Sequence, residues 1–348
     1  MLSDREFLDD SEGDEFLSSV VSDDCLGSRT GRAAEEPPIF KYRAGRINVS
    51  DFSTQLYCEQ KLQYELIGIP GLKELGYDIE EVEIKEVTVG SSIHLARELE
   101  VHDITPVVTA SREDRFAVIL LNLLHSVQAL LCGVRVVREV PVFGVPVGAG
   151  VFVSGIIDEL RCDPHTLQIE LVELKTRKTA RVPGPSLKES HSLQVMMYKH
   201  LLDNLIQGHL QKSDIQTYLM LDLQKKISQS VLQFMPSNEK TMLCLDEFVS
   251  HVLSTVQALT MPSSLLLEYY SQDTNKSFSL QEVVYDESWL LLKLQNLIPF
   301  WLGQRTAEGV KDIEEAWKCR TCPYTEVCEW RLSMVDKCIA QNSRNFKN

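Results

Sequence analysis

The chain has 348 residues, of which 44% are hydrophobic and 24% charged, as in an ordinary globular protein. This composition excludes collagen-like, mucin-like and wholly disordered chains and provides enough apolar material for a sizeable core. The formal net charge of −15 argues at first against a nucleic-acid partner, but residues 1–36 alone carry 11 acidic residues and 3 arginines. A protein that holds metal ions with carboxylates can be acidic overall and still contain a basic groove, so the net charge does not decide the partner.

The first 45 residues are predicted to form a disordered acidic tail that ends at Pro37 and Pro38. This segment has neither the apolar stretch of a signal peptide nor the arginines of a transit peptide. The longest apolar stretch of the chain, Ala117 to Leu124, is too short to span a bilayer, which needs about 20 residues. We therefore expect an intracellular protein with no membrane partner. Residues 46–348 show no repeat or long linker and are predicted to form one mixed α/β domain with helical elaborations.

Hydrophobic periodicity and capping signals predict the elements of this domain. In chain order they are a helix from Val49 that contains Cys58 and breaks between Gly68 and Gly76, helices at about 90–100 and from Ser111 to Leu131, strands at Arg135–Phe143, Gly150–Leu160 and Leu167–Thr176, a helix at about Leu187–Leu205 and a strand at Ile215–Leu223. The remainder, including Leu245–Leu259 and Ser288–Leu302, is predicted to be mainly helical.

Two neighbouring strands carry the polar residues that indicate chemistry. Glu173 and Lys175 are two residues apart, so they project from the same face of a strand that is otherwise apolar on both faces. A turn at Asp163-Pro164, with the loop centred near His165-Thr166, would place Asp158 directly across from Glu173. Buried charges are costly unless they are paired or bind a metal. The pattern therefore predicts two carboxylates and a lysine at one point.

These residue types suit the hydrolysis of a phosphodiester. Carboxylate oxygens hold Mg²⁺, or Mn²⁺, which activates water and neutralises charge on the phosphate. A lysine can orient the attacking water or stabilise the charge of the transition state. The spacing alone is weak, since an E-x-K triplet also arises in strands as a structural or solvated ion pair.

Two further spacings and a set of cysteines accompany this pattern. Gln194 and Tyr198 lie one turn apart on the helix that follows Lys175, and Gly90 and His94 lie on a helix that precedes Asp158. The chain has nine cysteines, an odd number that argues against a disulfide framework. Three of them form a C-x2-C-x5-C motif near the C-terminus. The fourth member of the set, Cys58, lies far upstream.

The order Cys58, His94, Asp158, Glu173-x-Lys175, Gln194, Tyr198 and Cys319-x2-Cys322-x5-Cys328 resembles the PD-(D/E)xK nucleases of the RecB type and, among them, the eukaryotic exonuclease V family. The resemblance covers about residues 46–335. It implies a restriction-endonuclease-like mixed sheet flanked by helices, with His94, Asp158 and Glu173 at the magnesium site. It also implies catalytic roles for Lys175, Gln194 and Tyr198, and a [4Fe–4S] cluster on the four cysteines. A four-cysteine zinc site is the alternative for these sulfur atoms.

The same resemblance implies an activity and a setting. It suggests a single-strand-specific DNA exonuclease that loads at free ends, releases short oligonucleotides and serves DNA repair, with the single-strand-binding protein RPA as a partner. It also suggests a monomer in the nucleus, with the cytosol as a second location. From the residues themselves, four cations after the catalytic strand could form a basic rim for a phosphate backbone: Arg177, Lys178, Arg181 and Lys188. A solvated loop is the alternative.

Two other functions remain open at this point. One is a structure-selective endonuclease of the same fold, which only a constraint that threads a free end through the protein would separate from an exonuclease. The other is a non-catalytic DNA-binding scaffold. The presence of Asp158, Glu173 and Lys175 together disfavours a scaffold, because folds that lose activity usually lose one of these residues.

Overall fold

The computed structural model describes residues 2–3, 36–79, 85–101, 104–163, 165–237, 239–310 and 313–345. Most of the predicted acidic tail, residues 4–35, lies outside them. The helices within these residues are α1 (Pro38–Arg43), α2 (Val49–Tyr57), α3 (Glu59–Glu74), α4 (Lys85–Leu99), α5 (Arg112–Leu131), α6 (Pro185–Ile206), α7 (Lys212–Leu219), α8 (Gln229–Leu232), α9 (Leu245–Val256), α10 (Glu287–Trp301), a 3-10 helix (Ile313–Thr321) and α11 (Glu329–Asn345). The strands are β1 (Leu2–Ser3), β2 (Arg46–Asn48), β3 (Thr105–Pro106), β4 (Val136–Gly144), β5 (Phe152–Cys162), β6 (Ile169–Arg177), β7 (Ser264–Ser271) and β8 (Lys276–Glu282).

A mixed sheet of six strands forms the centre of the fold. β5 pairs antiparallel with β4 along one edge, and its other edge is shared by β2 and β6. β6 continues into a parallel pair with β7, and β8 closes the sheet as an antiparallel neighbour of β7. The chain is therefore a mixed α/β protein with a central mixed sheet flanked by helices, as the sequence predicts. β1 and β3 form a separate two-stranded pair.

The hairpin of β5 and β6 has the register that its turn residues predict. The side chain of Asp163 accepts hydrogen bonds from the backbone N–H groups of His165 and Thr166, at 2.8 and 3.3 Å. This turn pairs Cys162 with Ile169, and the ladder continues from there to Glu159 and Val172. Continuing the same register by one residue sets Asp158 opposite Glu173.

Two long helices cover much of the sheet. α6 lies against β4, β5, β6 and β7, and α5 packs between β4 and α9. Ser111 caps α5 by accepting a hydrogen bond from the N–H of Asp114, as its sequence predicts. α5 has the length and apolar composition of a membrane span, but 61% of that window is buried within the protein, as in a core helix. It supplies fully buried side chains such as Leu120 and Leu124 to the core.

The structure differs from the expected elements in three places. Residues 215–223 begin in α7 rather than in a strand, because Gln211 and Asp214 form a capping box and the buried Ile215 and Leu219 are spaced four residues apart. The region after Leu245 contains the two predicted helices as α9 and α10, but it also contributes the strands β7 and β8, which the sequence analysis did not predict. Cys58 is not inside a helix; its backbone is extended and it separates α2 from α3.

α1 precedes the boundary predicted at residue 46. Its side chain Ile39 is buried, and the helix contacts β2 and α10. α1 therefore packs onto the main body of the fold although it lies before that boundary.

Candidate active site

The site lies where β5 and β6 separate, at a point that we call the fork and define by Asp158 and Leu174. Residues 159–162 of β5 pair with β6, whereas residues 152–154, on the same edge of β5, pair with β2. At the fork, the carboxylate Oδ2 of Asp158 accepts the backbone N–H of Leu174 at 2.7 Å. The Asp158 side chain thus accepts an N–H group that a backbone carbonyl would accept in a paired strand. This hydrogen bond fixes the Asp158 carboxylate between the two strands.

Glu173 and Lys175 occupy the β6 side of the fork. β6 is buried through most of its length, and Glu173 is only 3% exposed. The Lys175 ammonium donates to Glu173 Oε1 at 2.8 Å and to Gln194 Oε1 at 2.7 Å. The second oxygen of Glu173, Oε2, is buried and has no hydrogen-bond partner. A buried carboxylate oxygen in this state is costly unless a cation or a proton joins it.

The helix α6 positions the lysine through two residues. Gln194 accepts from Lys175 with its oxygen and donates with its nitrogen to the Tyr198 hydroxyl at 3.1 Å. The Tyr198 ring lies on the backbone of Gly155, where an added Cβ atom would come within 2.6 Å of the ring. The spacing of Gln194 and Tyr198 is thus explained by a hydrogen-bonded series that ends at Lys175.

His94 reaches the fork from α4. Its Nδ1 lies 3.6 Å from Asp158 Oδ1. The helix is held by an ion pair between Arg97 and Glu268 of β7, at 3.0 Å. It also approaches β6 closely at Gly90, where a Cβ atom would stand 2.7 Å from the Thr176 hydroxyl oxygen. The glycine one turn before the histidine therefore lets α4 come near enough for His94 to meet Asp158.

The structure adds Glu139, a residue that the sequence analysis did not single out. Ligand atoms of His94, Glu139 and Asp158 all lie within 4.8 Å of one another, so they can share a metal ion. This group differs from the predicted set of His94, Asp158 and Glu173, because Glu173 is not part of it. The register could have revealed Glu139: a β4–β5 hairpin centred on Gly148-Ala149 sets residue 139 opposite residue 158.

Burial and like charge set the electrostatics of the fork. Burial raises the pKa of Asp158 to about 6. It raises the pKa of Glu173 to about 7, with the negative charge of Asp158 acting in the same direction. Burial lowers the pKa of His94, which favours the neutral imidazole that binds metals. The fork is therefore a place where carboxylates are held close together at a cost that a cation would relieve.

An open groove of about 650 Å³ passes the site. It is lined by residues from α4 and from the strands, including Gly90, Ser91, His94, Glu139, Asp158 and Lys178. Of the four cations predicted as a basic rim, Lys178 lines this groove and is exposed. Arg181 is exposed in the following loop, and Arg177 and Lys188 are half-buried; none of these three lines the groove.

The four predicted cysteines meet in a second cavity. Cys58 and the three C-terminal cysteines line one space of about 180 Å³, together with Tyr57, Tyr64 and Tyr324. Burial raises the pKa values of Cys58, Cys322 and Cys328. Backbone N–H groups nevertheless aim at these three sulfur atoms, and they come in order from Lys61, Tyr324 and Arg331. Half-buried thiols that converge and accept hydrogen bonds from N–H groups fit a metal centre that binds thiolates.

Comparison with known proteins identifies the family of this chain. The sequence matches the family described as "Exonuclease V - a 5' deoxyribonuclease" over residues 38–170, 163–252 and 244–331. Exonuclease V of Danio rerio is 36% identical over 335 residues, which cover 94% of this chain and 82% of that protein. The crystal structure of SSO0001 is 13% identical and aligns with 82% of this chain and 87% of that one, at a TM-score of 0.37, which is too low to support a conclusion.

With a relative this similar over nearly the whole chain, the protein is a metal-dependent deoxyribonuclease that degrades DNA as an exonuclease. The chain belongs to the exonuclease V family.

Replacing Gln194 by leucine is expected to lower the rate of DNA cleavage by about 10- to 100-fold, because Lys175 loses a hydrogen bond to its charged group. Tyr198→Phe keeps the ring on Gly155 and is expected to cost less than about tenfold. Initial rates on a labelled oligonucleotide check both values, with melting temperatures to exclude misfolding. An unchanged rate in a folded Gln194→Leu variant would show that the hydrogen bond between Lys175 and Gln194 does not contribute to catalysis.

Gly90→Ala is expected to displace α4 from β6 and to lower activity by about tenfold or more, because the new methyl group meets the Thr176 hydroxyl. The double variant Gly90→Ala/Thr176→Ala removes that hydroxyl and should recover most of the activity. Rates of the single and double variants, measured side by side, test whether the close approach sets the position of His94. Failure of the double variant to recover would contradict this explanation.

Proposed function

We propose that this protein is a single-strand-specific DNA exonuclease that hydrolyses phosphodiester bonds with Mg²⁺ or Mn²⁺, enters at free ends and releases short oligonucleotides in DNA repair. The convergence of Asp158, Glu173 and Lys175 at the fork, beside an open groove, is the observation that carries the proposal. The family match supports a DNA exonuclease, and the groove supplies room for a strand.

The chain's residues divide the work at the fork. Asp158 and Glu173, with His94 and Glu139 nearby, would hold the divalent cation. When bound, that cation activates water and neutralises charge that develops on the phosphate. Lys175 is fixed by two oxygen acceptors, so its remaining N–H can orient the attacking water or donate to a phosphate oxygen. Gln194 and Tyr198 act as positioning residues, because Gln194 contacts the lysine and Tyr198 contacts Gln194.

The sheet and hairpin suit a restriction-endonuclease-like fold, in which adjacent strands present the two carboxylates and the lysine. We assign a [4Fe–4S] cluster to the four cysteines, with a structural role. Around a zinc ion the sulfur atoms would lie about 3.8 Å apart, since each Zn–S bond is about 2.3 Å. The four cysteines of this chain line one cavity of about 180 Å³, and the resemblance to the family favours the cluster there.

The cellular setting is part of the same proposal. We expect single-stranded DNA to be the substrate, the protein RPA to be a partner, a monomer to be the active form and the nucleus to be the main location, with some protein in the cytosol. Size-exclusion chromatography with and without purified RPA would test the partner and the monomeric state.

The test of the activity uses three substrates of one sequence: a linear single strand labelled at either end, the corresponding duplex and a closed circular single strand. We expect Mg²⁺-dependent digestion of the linear strand and no cleavage of the duplex or the circle. Cleavage of the circle would support the structure-selective endonuclease instead. Binding without cleavage of any substrate would support the scaffold. A visible spectrum with iron and sulfide analysis of the same anaerobic sample tests the cluster, for which we expect a broad band and about four irons per chain.

A further inference from the structure

A closed series of ion pairs joins α4 to the strands β4, β5 and β7. Arginines and glutamates alternate along it, and both of its ends lie at the C-terminal end of α4. We call this series the ion-pair ring and define it by its six residues, in order Arg97, Glu268, Arg161, Glu159, Arg138 and Glu100. Arg138 also donates to the backbone carbonyl of Arg97, which closes the ring.

Glu268 of β7 pairs with two arginines of the ring at once. Its two oxygens lie 3.0 Å from Arg97 of α4 and 3.0 Å from Arg161 of β5. Burial raises the pKa of this carboxyl group, but the Ser277 hydroxyl and the two arginines outweigh burial and hold the pKa below its ordinary value. Glu268 is therefore a buried, ionised carboxylate whose charge is balanced from α4 and from β5.

Glu159 repeats this arrangement on β5. It accepts a hydrogen bond from Arg138 at 2.8 Å and another from Arg161, and its side chain is buried. Arg138 occupies the paired position on β4 and continues to Glu100, directly after α4, at 2.8 Å. Removing one partner from a buried ion pair leaves the other charge uncompensated, which costs more than the loss of an exposed pair. The end of α4 is thus tied to the sheet through two buried carboxylates.

Apolar packing does little to hold α4. Of its side chains that the structure describes, residues 88–99, none belongs to the hydrophobic core. The helices α5 and α6, by contrast, each supply many buried apolar residues. Helices in proteins usually obtain most of their stability from an apolar face that packs on the core. The attachment of this part of α4 is therefore largely polar.

His94 lies beside the ion-pair ring. It is three residues before Arg97, so the two side chains are neighbours on one side of α4. With Arg138 and Glu159 they line a space of about 10 Å³, which is room for at most one water molecule. A shift of Arg97 relative to the sheet would therefore also shift His94 relative to Asp158, which is 3.6 Å away.

We propose that the ion-pair ring sets the position of α4, and that Arg97, Arg138 and Glu268 are positioning residues that act on DNA cleavage through His94. This inference rests on the proposed function, in which His94 serves the cleft. No member of the ring lines the open groove that passes the site. A defect in the ring should therefore lower the rate of the chemical step and leave the binding of the strand nearly unchanged.

The first part of the test compares the ring variants Arg97→Gln, Arg138→Gln and Glu268→Gln with the wild type. Each is expected to lower kcat on a linear single strand by about tenfold or more and to leave KM within about twofold, because the strand does not contact the ring. Lys212→Gln is the matched control. It breaks an ion pair of 2.7 Å with Asp246, which joins α7 to α9 away from α4, and it should keep both constants.

The second part observes His94 directly by nuclear magnetic resonance of the full, cluster-bearing chain with ¹³C-labelled histidine, without divalent metal or DNA. The signal that is absent in His94→Asn identifies this residue. It should shift in all three ring variants, whereas the signals of histidines outside α4 should move less. Lys212→Gln should leave the His94 signal in place.

An unchanged kcat in folded Arg97→Gln and Arg138→Gln would overturn the inference, and so would a His94 signal that stays in place while kcat falls. An equal effect of Lys212→Gln would also contradict it. Melting temperatures show which variants are folded; Arg97→Gln, which changes a partly exposed side chain, is the mildest of the three. If the wild type cuts no single strand, the proposed function fails, whereas the His94 signal still tests the ring.

Discussion

Asp158→Asn is expected to lower the rate of DNA cleavage by at least about 10³-fold, because it removes a charged ligand from the fork and with it several kcal/mol of transition-state stabilisation. The substitution keeps the shape of the side chain and an oxygen that can accept the N–H of Leu174. Binding of single-stranded DNA should persist, since the groove is unchanged. Single-turnover rates and binding by fluorescence anisotropy measure the two effects separately. Cleavage within tenfold of the wild type would remove Asp158 from the catalytic residues.

The same variant, which loses activity, is not expected to lose stability. Burial raises the pKa of Asp158 to about 6, above the ordinary value near 3.9, so at neutral pH its ionisation opposes folding. Without metal, Asp158→Asn should therefore melt at or above the wild-type temperature at pH 7.5. The difference should shrink as the pH falls from about 6 to 4, where the acid becomes protonated in both states. Glu170→Gln, on the neighbouring strand β6 and outside the fork, is the control and should change neither activity nor this pH dependence. A lower melting temperature for Asp158→Asn in metal-free buffer would contradict the inference that burying the ionised Asp158 carboxylate lowers the stability of the fold.

Cys322→Ser is expected to lose the bound iron and to lower the melting temperature by about 10 °C or more, because the cysteine cavity joins α2 and α3 to the C-terminal elements. Iron analysis and calorimetry of the anaerobic protein measure both losses.

Cys132→Ser is the matched control, since Cys132 is exposed and does not line the cavity. It should keep its iron and its melting temperature. A colourless wild type whose stability is unaffected by Cys322→Ser would show that these four residues hold no cluster.

Much of the fork follows from the sequence because short-range rules govern it. The turn at Asp163 fixes the β5–β6 register, and that register fixes which residue faces Glu173. The rise of an α-helix similarly places Gln194 and Tyr198 one turn apart, and the structure shows them hydrogen-bonded to each other.

Glu139 and the later strands were harder to predict for different reasons. Glu139 is one acidic residue in a strand, and its importance depends on a β4–β5 register and on α4, which arrives from elsewhere in the sequence. β7 alternates clearly, with Leu265, Leu267 and Tyr269 buried, but its length resembles that of a short helical segment. Its place in the sheet depends on a parallel pairing with β6, about 95 residues away, that no local pattern contains.

The position of Cys58 has a consequence for the order in which the protein can be completed. About 260 residues separate it from Cys319. On a ribosome that adds about 5–20 residues per second, tens of seconds therefore pass between the synthesis of Cys58 and that of the other three cysteines. All six strands of the central sheet have been made before Cys319 emerges. The sheet therefore forms during synthesis without the contact between Cys58 and the three C-terminal cysteines. A messenger truncated just before Cys319 would yield a chain that contains every residue of the fork but cannot form the cysteine cavity.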